Sequence, residues 1–305
     1  MKKDIKVGGQ AVLEGVMMRG KKGIATAVRK PDGNIVIDKK DHTPYSSKNF
    51  IFSLPIIRGF ISLIESLVIG IKTLNYSASF FEEDLEDVEE GKFEKLLKKI
   101  FKDKADDVII GTTVVISFFI AAVLFFILPT FIADSFKKID VKNSIGLNLI
   151  EGVIRVIIFL SYIILISKIE DINRVFQYHG AEHKTIHCYE KELELTPENA
   201  KKFTTLHPRC GTNFLFLVMI VSIILFSFTG WESIGERILY RIILLPLVSG
   251  ITYEVIKWLG KSSGAISKFI SWPGLMLQKL TTREPDLKQL EVAISALKSA
   301  EGIED

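Results

Sequence analysis

Three histidines stand at every fourth position in QYHGAEHKTIHCYE, residues 177–190: His179, His183 and His187, with Glu182 just before the middle one. Side chains four apart on a helix are separated by roughly 40° around the axis, so His179 and His183 can direct two imidazoles at one ion, with His187 one turn further on. H-x-x-E-H over residues 179–183 has the order of the inverted zinc-protease signature, in which the glutamate acts on a metal-polarised water. A third ligand must come from elsewhere. LHPRCGT, residues 206–212, offers His207 and Cys210 in H-x-x-C spacing. Four of the five histidines and both cysteines fall within residues 177–210, a window of 34 positions, as expected when side chains converge on one ion. The pattern points to a divalent metal, zinc above others, held by His179, His183, His207 and Cys210. Glu182 is then the catalytic base, and His187 is a further ligand candidate or a group behind the ligands. The competing reading is a polar helix with solvated imidazoles, and Gly180 weakens the helix that the geometry requires.

The elements that must carry these residues are mostly apolar helices. The chain has 305 residues, 48% of them hydrophobic, with a net charge of +3 too scattered for nucleic acid. Residues 108–128 carry no charge over 21 positions, enough to cross roughly 30 Å of hydrocarbon. Residues 145–167, 212–230 and 237–258 are the other expected spans, and the first and last of these hold Glu151 and Arg155, and Arg241 and Glu254. Glu151 and Arg155 are four apart and can pair on one face, or can begin a polar path that Tyr253 and Glu254 extend. Residues 56–74, with three charges after Pro55, read as an interfacial helix. Eleven lysines and arginines in residues 1–50, seven in 168–211 and a basic tail put both termini on the cytoplasmic side of four spans, with the basic link 134–142 dissenting. No cleavable signal peptide is visible, and cytoplasmic cysteines are free thiols or metal ligands.

The expected fold is therefore a mainly α integral membrane protein with about four transmembrane helices, interfacial helices and a small N-terminal cytoplasmic β unit. Residues 1–50 form that unit, with strands over 23–30 and 35–39 around Pro31-Asp32-Gly33-Asn34. Its start, GGQAVLEGVMMRG (8–20), lacks the phosphate-loop ending and reads as a glycine-rich sheet edge. Residues 51–107 hold the interfacial helix, an acidic run with seven acids in positions 82–90, and a basic amphipathic helix around 93–101. Residues 108–258 are the membrane domain with the central segment 168–211. In the tail, 259–305, Leu287, Leu290, Ile294 and Leu297 share one helical face after Pro285, a face that must dock on something.

GGQAVLEGVMMR, Ile57-Arg58-Gly59, QYHGAEHK, HPRCGT and TTREPDLKQLEVAI together resemble the YqhQ family of bacterial membrane proteins over nearly the whole chain. That family is biochemically uncharacterised and is labelled a predicted metal-dependent enzyme. The resemblance implies one composite site in which Gln10 and Glu14 face the metal helix, Glu14 being, like His187, a further ligand candidate or a group behind the ligands. Arg19 or Arg209 would bind an anionic or carbonyl group of a substrate. For Arg19 and Arg209 the plainer role is pairing with lipid phosphate, and for Glu14 a salt bridge. Three functions compete: a membrane-embedded zinc-like hydrolase at the cytoplasmic face, an assembly factor or scaffold for other membrane proteins with a structural metal or none, and a small transporter. The lipid bilayer is the expected partner in each.

Overall fold

The computed structural model describes residues 7–81, 105–136, 144–229, 233–260, 262 and 264–303. The strands are β1 (Gly8–Val12), β2 (Gly15–Gly20), β3 (Gly23–Arg29) and β4 (Ile35–Lys40). The main helices are α1 (Ile57–Ala78), α2 (Ala105–Ala122), α3 (Ser144–Ile166), α4 (Glu170–Glu190), α5 (Gly211–Phe226), α6 (Ile234–Leu259), α7 (Ala265–Thr281) and α8 (Leu287–Glu301). Residues group into two compact units: Met1–Phe81, Tyr162–Ser222 and Leu244–Asp305 form the first, Glu82–Ser161 and Ile223–Ile243 the second. The acidic run at 82–90 and the amphipathic helix expected around 93–101 lie outside the described residues.

In the first unit the strands form an antiparallel meander in the order β1-β2-β3-β4. The glycine-rich start supplies β1 at the edge, and Leu13 and Glu14 turn it into β2, with Glu14 at φ 47. Side chains alternate across a strand, so the register Val16↔Ala27 and Met18↔Ala25 puts four buried side chains on one face. α8 lays Leu290, Ala293, Ile294, Leu297 and Ala300 on that face, and the alanines on both sides let the helix sit close. Asp286 and Gln289 close a capping box at its start, and Gly302 ends it at φ 71. The apolar tail face thus docks on the sheet, although Leu287 stays exposed. α4 packs against β1 and α8, with Glu170 and Asp171 favouring the positive end of its dipole. α1 is anchored by Arg58, which grips Glu254 of α6 with two donors, and by Gly59, whose missing Cβ lets it rest on Gly250 and Tyr253.

Among the described residues, three helical stretches are long and apolar enough to cross a membrane: Val108–Ser135, Ser144–Ile166 and Gly235–Leu259. They correspond to three of the four expected spans. The remaining one folds as α5, 16 residues long, or about 24 Å at 1.5 Å per residue, less than the roughly 30 Å of a hydrocarbon core. α1 extends the expected interfacial segment and exposes Ile57, Ile64, Leu67, Val68 and Leu74.

The second unit buries its charges as a network. Arg155 donates to Glu151 at 2.7 Å, and Arg241 donates to the other oxygen of Glu151 and to the Thr130 hydroxyl. Pro129 has no N–H for the Phe125 carbonyl one turn back, and Arg155 Nε donates to that oxygen at 3.1 Å. A π-turn over Val123–Ile127 lies at the same place. Arg237 pairs with Asp134 at 3.0 Å. The i,i+4 pair read from the sequence is therefore part of a three-residue bridge, whereas Glu254 belongs to Arg58 and does not extend it. Glu151→Ala would leave two buried guanidinium groups without their anion and should destabilise the protein by about 3–5 kcal/mol. The thermal midpoint in detergent is the measurement. A midpoint unchanged from the parent would mean the network contributes nothing.

Candidate metal centre

Each imidazole on α4 is held by a backbone carbonyl. His179 Nδ1 donates to Thr281 O at 2.8 Å, His183 Nδ1 to Thr205 O at 2.5 Å and His187 Nε2 to Leu206 O at 2.9 Å. A carbonyl oxygen only accepts, so each bonded nitrogen carries the proton and the other nitrogen of a neutral ring presents its lone pair. For His179 and His183 that second nitrogen is Nε2. His179 Nε2 lies 3.1 Å from Cys210 Sγ, and His183 Nε2 is buried without a hydrogen-bond partner. One ligand atom from each of His179, His183 and Cys210 falls within 4.8 Å of the others.

The carbonyls are themselves positioned. Thr281 to Asp286 clamp α4: Arg283 N–H donates to Phe176 O at 2.8 Å, Glu284 reaches Lys184 Nζ at 2.6 Å, and Asp286 caps α8. Gly180 is the contact point, because a Cβ there would collide with the Arg283 carbonyl oxygen. Buried Lys184 also donates to Lys201 O and Phe203 O, which sets the loop that ends at Thr205. The Gln278 amide accepts from His207 N–H at 2.8 Å and donates to His207 O at 2.9 Å, and Asn213 donates to Pro208 O, which together fix the LHPRCGT loop.

Cys210 precedes α5, where Thr212 presents its hydroxyl at 2.8 Å and its N–H at 3.4 Å to the sulfur. Burial pushes this thiol up, but the nearness of His183 and the Thr212 hydroxyl and N–H outweigh it, and the net shift is downward, towards thiolate. Cys188 is buried elsewhere in the core and its thiol is pushed up by burial. Burial lowers His183 and His187, and brings His207 to about 4, so the rings are neutral at pH 7, as metal ligation requires. Glu182 is raised to about 8, first by burial and also by Cys210, against the opposing effects of His179 and the Gly9 N–H.

The sequence-derived candidates separate as follows. His179, His183 and Cys210 come together, while His207 groups with His187 and Glu190. Gln10, Arg19, Glu182, His183, His207, Arg209 and Cys210 all line one cavity of about 250 Å³. Glu14 does not: it receives two hydrogen bonds of 2.5 Å from Arg174 and one of 3.2 Å from Tyr178, so it ties the β1–β2 turn to α4 as a salt bridge. His42, the fifth histidine, lines a separate cavity of about 450 Å³ against α1 with Glu65. Missed in the sequence were Glu190, Lys184, Gln278 and the Thr205 and Thr281 carbonyls. His187 and Glu190 stand three apart, a usable signal. The carbonyls have none.

Two imidazole nitrogens with oriented lone pairs, one orphaned in the interior, and a sulfur biased towards thiolate fit a tetrahedral ion of borderline softness such as zinc. These features define a mainly helical protein with apolar spans and a histidine–cysteine centre beneath a glycine-rich hairpin. Residues 54–302 match the family described as "Protein of unknown function (DUF1385)". The chain is also 36% identical over 290 residues, 95% of its length and 90% of the relative's, to a Bacillus subtilis (strain 168) protein named "Uncharacterized protein YqhQ". The chain belongs to this family, in agreement with the resemblance read from its motifs. No solved structure matches it.

Gly180→Ala should push the Arg283 carbonyl off α4, costing about 1–3 kcal/mol as overpacking, and loosen the Thr281 hold on His179. A lower thermal midpoint and faster alkylation of Cys210 are expected. If both match the parent, the contact does not position the ring.

Proposed function

We propose that this chain is a membrane-embedded, metal-dependent hydrolase acting on an amide or ester bond at the cytoplasmic membrane face. The observation that carries the reading is the convergence of two carbonyl-oriented imidazoles on the Cys210 sulfur. When bound, a zinc-like ion there supplies Lewis acidity, polarising a carbonyl and acidifying water. The chain's own groups have distinct tasks. Glu182, buried between Gly9, His179 and Cys210, is mostly the neutral acid at pH 7; a cation held beside it would favour its carboxylate, which would take a proton from the attacking water and return it to the leaving group. Arg19 and Arg209 line the same cavity and attract an anionic or carbonyl oxygen, and the Gln10 amide orients the substrate beside them. Gly9 lets the β1 backbone approach the Glu182 carboxyl, where a side chain would collide.

A scaffold with a structural metal calls for four closed ligands. A group of three donors beside a cavity favours an open position instead. The transporter reading loses support because Glu151, Arg155 and Arg241 are engaged with one another and Glu254 with Arg58. In this reading α5 is the fourth span and both termini are cytoplasmic. Its apolar composition and the basic residues of segments 1–50 and 168–211 support this.

Elemental analysis of the purified protein tests the reading. The parent should carry zinc or a similar metal, His183→Ala and Cys210→Ser should lose the ion they ligate, and Glu182→Gln should keep it. A parent without metal would refute the hydrolase.

A further inference from the structure

One turn along α4 from the first donor group lies a second. His187 donates from Nε2 to Leu206 O at 2.9 Å, leaving Nδ1 as the lone pair in a neutral ring, and Nδ1 lies 4.0 Å from Glu190 Oε2. His207 approaches the same carboxylate from the LHPRCGT loop, with Nε2 at 3.2 Å from Glu190 Oε1. One ligand atom from each of the three residues falls within 4.8 Å of the others. His187 therefore repeats the arrangement of His179 and His183: a backbone carbonyl on one nitrogen, the other nitrogen turned towards a ligand group.

The two groups adjoin. The His207 ring centroid is 5.7 Å from that of His183 and 4.7 Å from that of His187. His183 and Cys210 of the first group and His207 of the second line the same cavity. The Arg209 guanidinium also sits on Glu190, so a positive charge already balances the carboxylate at this place.

We propose that His187, Glu190 and His207 hold a second divalent cation, so that the centre is binuclear, with the cation replacing the Arg209 guanidinium on Glu190. Two nitrogens and a carboxylate suit zinc, manganese, ferrous or cobaltous ions, without the thiolate preference of the first group. Ligation through His207 Nε2 requires its ring proton at Nδ1, whose contact with Arg209 N–H is a long 3.3 Å and easily given up. The displaced Arg209 then turns its charge to the cavity it lines, where two cations and a guanidinium face one substrate oxygen group. This inference rests on the preceding reading for the first ion only.

The test is cobaltous ion added to the stripped, full-length protein, read by bound metal per chain and by the thiolate-to-cobalt absorption that only a Cys210-ligated ion gives. Two ions should bind the parent, one with the thiolate band. Glu190→Gln should bind one and keep the band, and Cys210→Ser should bind one and lose it. A parent binding a single ion with the band, unchanged by Glu190→Gln, overturns the second site and leaves the first. A single bandless ion, lost in Glu190→Gln, supports the second site while the first reading fails. No bound ion overturns both.

Discussion

Imidazoles on one helical face meet at a point only if their rings are kept from rotating, and here backbone oxygens impose that constraint. Thr281 at the end of α7, and Thr205 and Leu206 in the loop before α5, each accept one ring proton, and this selects the nitrogen that faces inward. Much of the first unit serves to keep those three oxygens still. Lys184, almost fully buried, is held by Lys201 O, Phe203 O and Glu284 and so joins the loop and the clamp across α4. Gln278 does the same for the His207 backbone with a paired amide contact. The energetic logic is that of any buried polar group: fully satisfied donors stiffen a site, whereas a single missing partner would cost about 1–3 kcal/mol.

The two cysteines show how position governs chemistry for one residue type. Cys188 lies among Tyr178, Ile186 and Ala200, with the Glu194 carbonyl at 3.5 Å, and behaves as a small apolar side chain. Cys210 stands at the start of a helix, where unpaired N–H groups and a hydroxyl favour negative charge on sulfur. The charged residues of the apolar helices follow the opposite rule. Glu151, Arg155 and Arg241 answer one another, and Arg155 also donates to the Phe125 carbonyl, for which Pro129 has no N–H, so their burial needs no chemical task to explain it.

Much of this was legible in the residue pattern. Uncharged length marks residues 108–128 as part of a helix apolar enough to cross a membrane, period-four apolar spacing marks α8, and Pro-Asp-Gly-Asn marks the β3–β4 turn, because each is a local property of the residues. The histidine spacing located the helix and the H-x-x-C loop its partner. It could not assign His207, since which imidazole reaches which carboxylate depends on the path of residues 191–206. Gly180 misled for a physical reason: helix propensity charges glycine a penalty, while the fold needs the absence of a Cβ to admit the Arg283 carbonyl. Hydropathy marked the segment that folds as α5 as apolar but not its length, because α5 begins at Gly211 after the Cys210 loop and ends after 16 residues. Backbone acceptors such as Thr281 O carry no residue signature at all.

The clamp over residues 281–286 and the helix it starts follow β1, whose Gly9 covers Glu182, by most of the described sequence. The long apolar helices lie between them along the chain and can form before the clamp meets α4. Without residues 281–286, α4 lacks the Thr281 carbonyl that orients His179 and the Arg283 contact at Gly180, so the centre depends on contacts closed across a long stretch of chain, the slow class of event in folding.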